Sequence, residues 1–138
     1  MKTILVLLVC LGVAGAAKAQ TAVATRFPAS PTSLKPGVMN SLVQLDLGAG
    51  DWVVTAKVNF VNDSFQANQI VCQLNGVYAE QSSVFLAALD ARNEVTLILL
   101  QTSSSAKSTV EVACSPDGDA RAFLGTIVAQ QMTNLTVL

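Results

Sequence analysis

The chain has 138 residues, about half of them apolar, with eight basic against nine acidic side chains and no histidine. So sparse and balanced a charge leaves no basic stripe for a phosphate backbone, which argues against a nucleic-acid-binding role. The lack of any imidazole excludes the usual Ser-His-Asp mechanism and removes the commonest metal ligand.

The first element is an export signal. Lys2, the apolar run from Ile4 to Ala16, and the small residues Ala17 and Ala19 before Gln20 give a charged start, an apolar stretch and an A-x-A cleavage site. The run falls short of the roughly 20 residues that a bilayer-spanning helix needs. Cleavage after Ala19 would also remove Cys10, since bulky Val9 stands where a lipoprotein signal needs a small residue. The remaining 119 residues hold six basic and nine acidic side chains. They suffice for one domain with its own core, and no later apolar run is long enough for a membrane span.

Residues 20–40 read as an extended lead-in, because Pro28, Pro31 and Pro36 with Gly37 disfavour helix; one edge strand fits there. The domain proper is expected over 41–138. "SLVQLDL" alternates, "GAGD" turns, and "WVVTAKVNF" sends Trp52, Val54, Ala56, Val58 and Phe60 to one face, the pattern of a half-buried strand. "NQIVCQL" ends in Asn75-Gly76, suited to a two-residue hairpin, with "VYAE" as the return strand. "SSVFLAALD" reads as a further strand, a short capped helix being the alternative. "EVTLILLQ" is apolar on both faces, as in a strand central in its layer and covered on both sides. "STVEVACS" and "RAFLGTIVAQQ" complete the set. Seven to nine short strands predict an all-β fold, a two-layer antiparallel β-sandwich of jelly-roll-like or immunoglobulin-like kind.

Alternation sends Cys72, with Ile70 and Leu74, and Cys114, with Val110 and Val112, toward the core. Two inward cysteines in an exported protein are expected to form a disulfide. With a sequence separation of 42, the chain-entropy model gives roughly 4 kcal/mol of stabilisation. No metal site is expected from cysteines without histidine or C-x-x-C spacing, and no cofactor is implied.

The succession "VQLDLGAGDWVVTAKVNFVND", "IVCQL", "TVEVACS" and "IVAQQM" resembles a loose group of small secreted bacterial β-sandwich proteins of unknown function, over about Ser41 to Met132. The resemblance implies a jelly-roll-like sandwich, distantly similar in style to trimeric tumour necrosis factor-like heads, and implies no activity. The aromatic-rich strands of those heads are missing here.

Other candidate sites have plainer readings. Asp117 and Asp119 in "SPDGDAR" could offer oxygens to calcium but read as an acidic turn. Asp46 and Asp51 flank one turn and read as a surface pair rather than a hydrolytic couple. Asn62 and Asn134 match the glycosylation sequon, which carries no meaning if the resemblance to bacterial proteins holds; in a eukaryotic host Asn62, expected in a loop, would be the better acceptor. Trp52 and Phe85 are expected to pack within the sandwich, leaving Phe65 and Tyr78 as candidate ligand contacts for a carbohydrate-binding module, the second functional reading. In "LILL", Leu97 and Leu99 face one way and Ile98 and Leu100 the other. The outer pair therefore needs a cover, either the Pro-rich lead-in or a second subunit, so Ile98 and Leu100 are the candidate interface. The first functional reading is a secreted, non-catalytic β-sandwich with a structural or interaction role at or outside the cell surface. Its partner is an unidentified extracellular one or itself.

Overall fold

The computed structural model describes residues 22–26, 30–76, 79–103 and 107–132, with backbone alone for 22–26, 103 and 124. Strands occupy Ala22–Arg26 (β1), Thr32–Leu34 (β2), Asn40–Leu47 (β3), Gly50–Asn62 (β4), Asn68–Asn75 (β5), Ala79–Leu86 (β6), Arg92–Ser103 (β7), Ser108–Pro116 (β8) and Ala120–Met132 (β9). No described residue is helical.

One sheet runs β1-β9-β4-β7, with β2 also on β9, and the other runs β3-β8-β5-β6. All pairings are antiparallel. With β1 and β2 taken as two pieces of one strand, the chain pairs outermost with outermost: β1 and β2 on β9, β3 on β8, β4 on β7 and β5 on β6. That is a long antiparallel hairpin rolled into two layers, closed by β4–β9 and β5–β8 pairing. The topology is a jelly roll, which decides between the two sandwiches expected from the sequence.

Period-two patterning puts the core between the layers. Trp52, Val54, Ala56, Val58 and Phe60 of β4 are all buried, as are Val95, Leu97 and Leu99 of β7. They meet Ile70, Cys72 and Leu74 of β5 and Val110, Val112 and Cys114 of β8 in one apolar cluster. The Trp52 indole is buried without loss of its hydrogen bond, because Nε1 donates to Gly48 O at 3.0 Å.

Several local expectations are corrected. β7 is the edge of its sheet and not a central strand. Its apolar outer positions had suggested cover on both sides, whereas Ile98 and Leu100 are exposed. "VYAE" and "SSVFLAALD" do not make two strands, because β6 runs through from Ala79 to Leu86 and the chain then turns. Phe85 is exposed rather than packed inside, since Val84 and Leu86 take the inward positions of β6. The β5–β6 hairpin pairs Asn75 with Ala79, so three residues rather than two connect the strands. Gly76 serves close approach there: a Cβ on it would collide with Oε1 of the buried Gln101. Gly50, by contrast, is needed for its backbone, with φ of 135° at the start of β4.

Candidate interaction surface

The cysteine chemistry is structural. Cys72 of β5 and Cys114 of β8 are register partners joined by a disulfide, α-carbons 4.1 Å apart and both fully buried. The bridge links neighbouring strands of one sheet, at the close spacing of a non-hydrogen-bonded antiparallel pair.

The two outer faces differ in chemistry. On the β3-β8-β5-β6 sheet, polar side chains bond across strands: Gln44 Nε2 donates to Glu111 Oε1 at 3.3 Å, and Gln73 Nε2 donates to Gln81 Oε1 at 3.3 Å. Asp46 accepts from Thr109 Oγ1 at 2.7 Å and pairs with Lys107 Nζ at 2.9 Å. The bond from Lys107, then that from Thr109, holds the Asp46 carboxyl below its ordinary value.

On the β1-β9-β4-β7 sheet the register instead lines up apolar and β-branched residues. Leu100 lies beside Val53, and Ile98 beside Thr55, which is followed by Val128 on β9. Ile98 is 57% and Leu100 47% exposed, while Leu97 and Leu99 point into the core. A charged group on this face joins Glu94, four residues from Ile98 along β7, to Lys57 at 3.5 Å and to Asn59 Nδ2 at 3.3 Å. The described strands of the Pro-rich segment, β1 and β2, lie on β9 at the far side of the sheet, so they do not cover β7. Val53, Thr55 and Val128 were not singled out from sequence. The available signal was that the successive outward positions Val53 and Thr55 of β4, and Thr126 and Val128 of β9, are all β-branched.

At one end of the sandwich the connections are stitched together. Gly37 N donates to Pro116 O, Asp63 N to Asp119 O, Asn62 N to Ala91 O and Asp90 N to Asn62 O, all at 2.8–3.0 Å. Asn68 Oδ1 accepts from the amides of Asp117 and Gly118, and its Nδ2 donates to Asp119 O. Asn62 is not the loop acceptor expected from its sequon. It ends β4 fully buried, its Nδ2 donating to Gln66 O at 2.9 Å and its Oδ1 accepting from Ser64 N at 3.0 Å. Arg121 clamps Asp63 through two bonds of 2.7 Å. Phe65, on the β4–β5 connection, is 87% exposed, while Tyr78 and Asn134 lie outside the described residues. Among the described residues no group of three or more His, Cys, Asp or Glu side chains is placed to hold a metal ion. No described helix is long and apolar enough to cross a membrane.

No protein-family model matches the chain, and no curated protein does. Its fold is similar to that in solved structures of infectious bursal disease virus. The Gx strain structure superposes with a TM-score of 0.60 and 8% identity over 86% of this chain and 33% of that one. The Gt strain structure gives 0.48 and 12% over 83% and 34%, and the T13 viral particle 0.48 and 13% over 78% and 31%. The chain thus spans about a third of the length of the solved chains it matches. The Gx likeness, at 8% identity, concerns the fold alone: a β-sandwich of the kind found in that virus.

Proposed function

We propose that the chain is an exported, non-catalytic jelly-roll module with a structural or interaction role at or outside the cell surface, making its contacts through the outer face of the β1-β9-β4-β7 sheet. The observation that carries this reading is the contrast between the faces. Cross-strand polar bonds run along the outside of one sheet from β3 to β6, whereas on the other they are gathered about Glu94 and leave Ile98 and Leu100 beside Val53, Thr55 and Val128. Contiguous apolar surface on an exported domain favours an interface over solvent. The signal-like residues 1–19, the resemblance to secreted bacterial sandwiches and the Cys72–Cys114 bridge support an oxidising destination. The likeness in fold to a chain of a virus structure points the same way, toward a building role rather than turnover.

The test is light scattering on exported protein. Ile98→Lys with Leu100→Lys should lower the assembled mass to that of the monomer while leaving the melting temperature near wild type. Gln44→Lys with Gln73→Lys on the opposite face should leave the mass unchanged. Equal loss from both pairs, or from neither, would remove the face from the reading.

A further inference from the structure

Building on that reading of the face, we propose that the outer edge of β7, which pairs with no strand among the described residues, pairs antiparallel with β7 of a second copy, about a two-fold axis beside Leu99. An edge strand offers a row of unpaired backbone groups, and proteins usually guard such edges with breaks, bulges, charges or short strands. Three of the four edges here carry such devices. The β1/β2 edge is broken into pieces of five and three residues. β3 has a register shift between Ser41 and Val43 and carries Asp46. β6 has eight residues and presents Glu80, Gln81, Ser82 and Ser83 in succession. On β7 the charges Arg92 and Glu94 stand only at the start, and the rest carries no such device: it has twelve residues, no proline, and an unbroken register with β4 from Arg92 to Ser103. β6 is bonded to β7 at the connecting turn, where Asn93 Nδ2 donates to Phe85 O at 3.3 Å, but the two strands form no ladder.

The occupant follows from the strand's own sequence. Charges on β7 are confined to Arg92 and Glu94, and Val95 to Ser103 is uncharged and centred on Leu99. Antiparallel pairing of that span with itself sets Ile98 opposite Leu100, and Thr96 opposite Thr102, of the second copy. No like charges are opposed, and both kinds of cross-strand pair are favourable. The backbone is in phase with this arrangement. Asn62 N donates to Ala91 O, so even-numbered residues of β4 turn their amides to β7. Each pairs with an odd-numbered residue of β7, which leaves the amides of Thr96, Ile98 and Leu100 directed to the open edge. Pairing would run the two sheets together and place both copies of the Ile98–Leu100 row side by side.

Residue-resolved amide hydrogen exchange on exported protein, below and above its association midpoint, tests this. The amides of Thr96, Ile98 and Leu100 should slow by roughly tenfold or more on association. Association without that slowing would overturn the edge pairing while sparing the interface reading, and absence of association would sink both. The axis is tested by oxidative cross-linking: Thr96→Cys/Thr102→Cys should give a covalent dimer, and Thr96→Cys alone should not. A dimer from Thr96→Cys alone would overturn the placement of the axis at Leu99.

Discussion

Cys72 and Cys114 stand directly opposite each other on β5 and β8, so their disulfide fastens two neighbours within one sheet and not the two layers to each other. It closes a sequence separation of 42 residues that includes β6 and β7, and so restricts the unfolded chain strongly. Cys114→Ala is expected to cost about 2–5 kcal/mol in denaturant unfolding. A loss well under 1 kcal/mol would show that the layers hold without it. Thiol labelling of the denatured, exported protein should find no free sulfhydryl.

Asn62 gives a second prediction. Its amide is enclosed among Ser64, Gln66, Leu86 and Asn68, so a glycan cannot be carried there in the folded state. Expression through a glycosylating secretory pathway should yield intact mass without sugar at Asn62. Asn62→Ala should destabilise by about 1–3 kcal/mol, because the amide of Ser64 and the carbonyl of Gln66 lose their partner. A neutral effect would contradict the network.

Gly76 tests the packing of the β5–β6 hairpin against β7. Adding a methyl group sets it against the Gln101 side chain, so Gly76→Ala should cost about 1–3 kcal/mol. Gly37→Ala, with nothing near the added carbon, should instead report only the backbone strain of φ 69°. If Gly76→Ala melts like wild type, Gln101 is free to shift.

The ion pair on the polar face sets a pH dependence. Asp46 has its carboxyl lowered in the folded state by Lys107 and Thr109, so its contribution is present above the unfolded value. It is lost as pH falls through the folded one, in the range below about pH 4. The exposed pair contributes little. Asp46→Asn should therefore melt slightly below wild type at neutral pH, and the gap should close at pH values below that range. A gap that persisted in acid would assign the effect to something other than this charge.

Much of the fold was legible because β4 from Trp52 to Phe60, β5 and the second half of β3 alternate. Trp52 through Phe60, Cys72 and Cys114 all point where the period-two pattern sends them. Position within a sheet was not legible. "EVTLILLQ" has the composition of a covered central strand and lies at an edge, since strand order depends on pairing partners far apart in sequence. Asn62 was misread for a related reason: a polar residue beside Asp63 looks like the start of a loop, and its burial arises from bonds to residues of three other segments. The candidate interface was half visible. Alternation within "LILL" separated Ile98 and Leu100 from the core, but their neighbours Val53, Thr55 and Val128 became apparent only through the register.

The most direct measurement is sedimentation equilibrium of the exported, otherwise unmodified protein across micromolar concentrations. An apolar β7 face that serves as an interface between copies requires a mass rising with concentration to at least twice that of a single chain. That rise should disappear in Ile98→Lys/Leu100→Lys. A single monomer mass for wild type throughout would contradict the role assigned to that face.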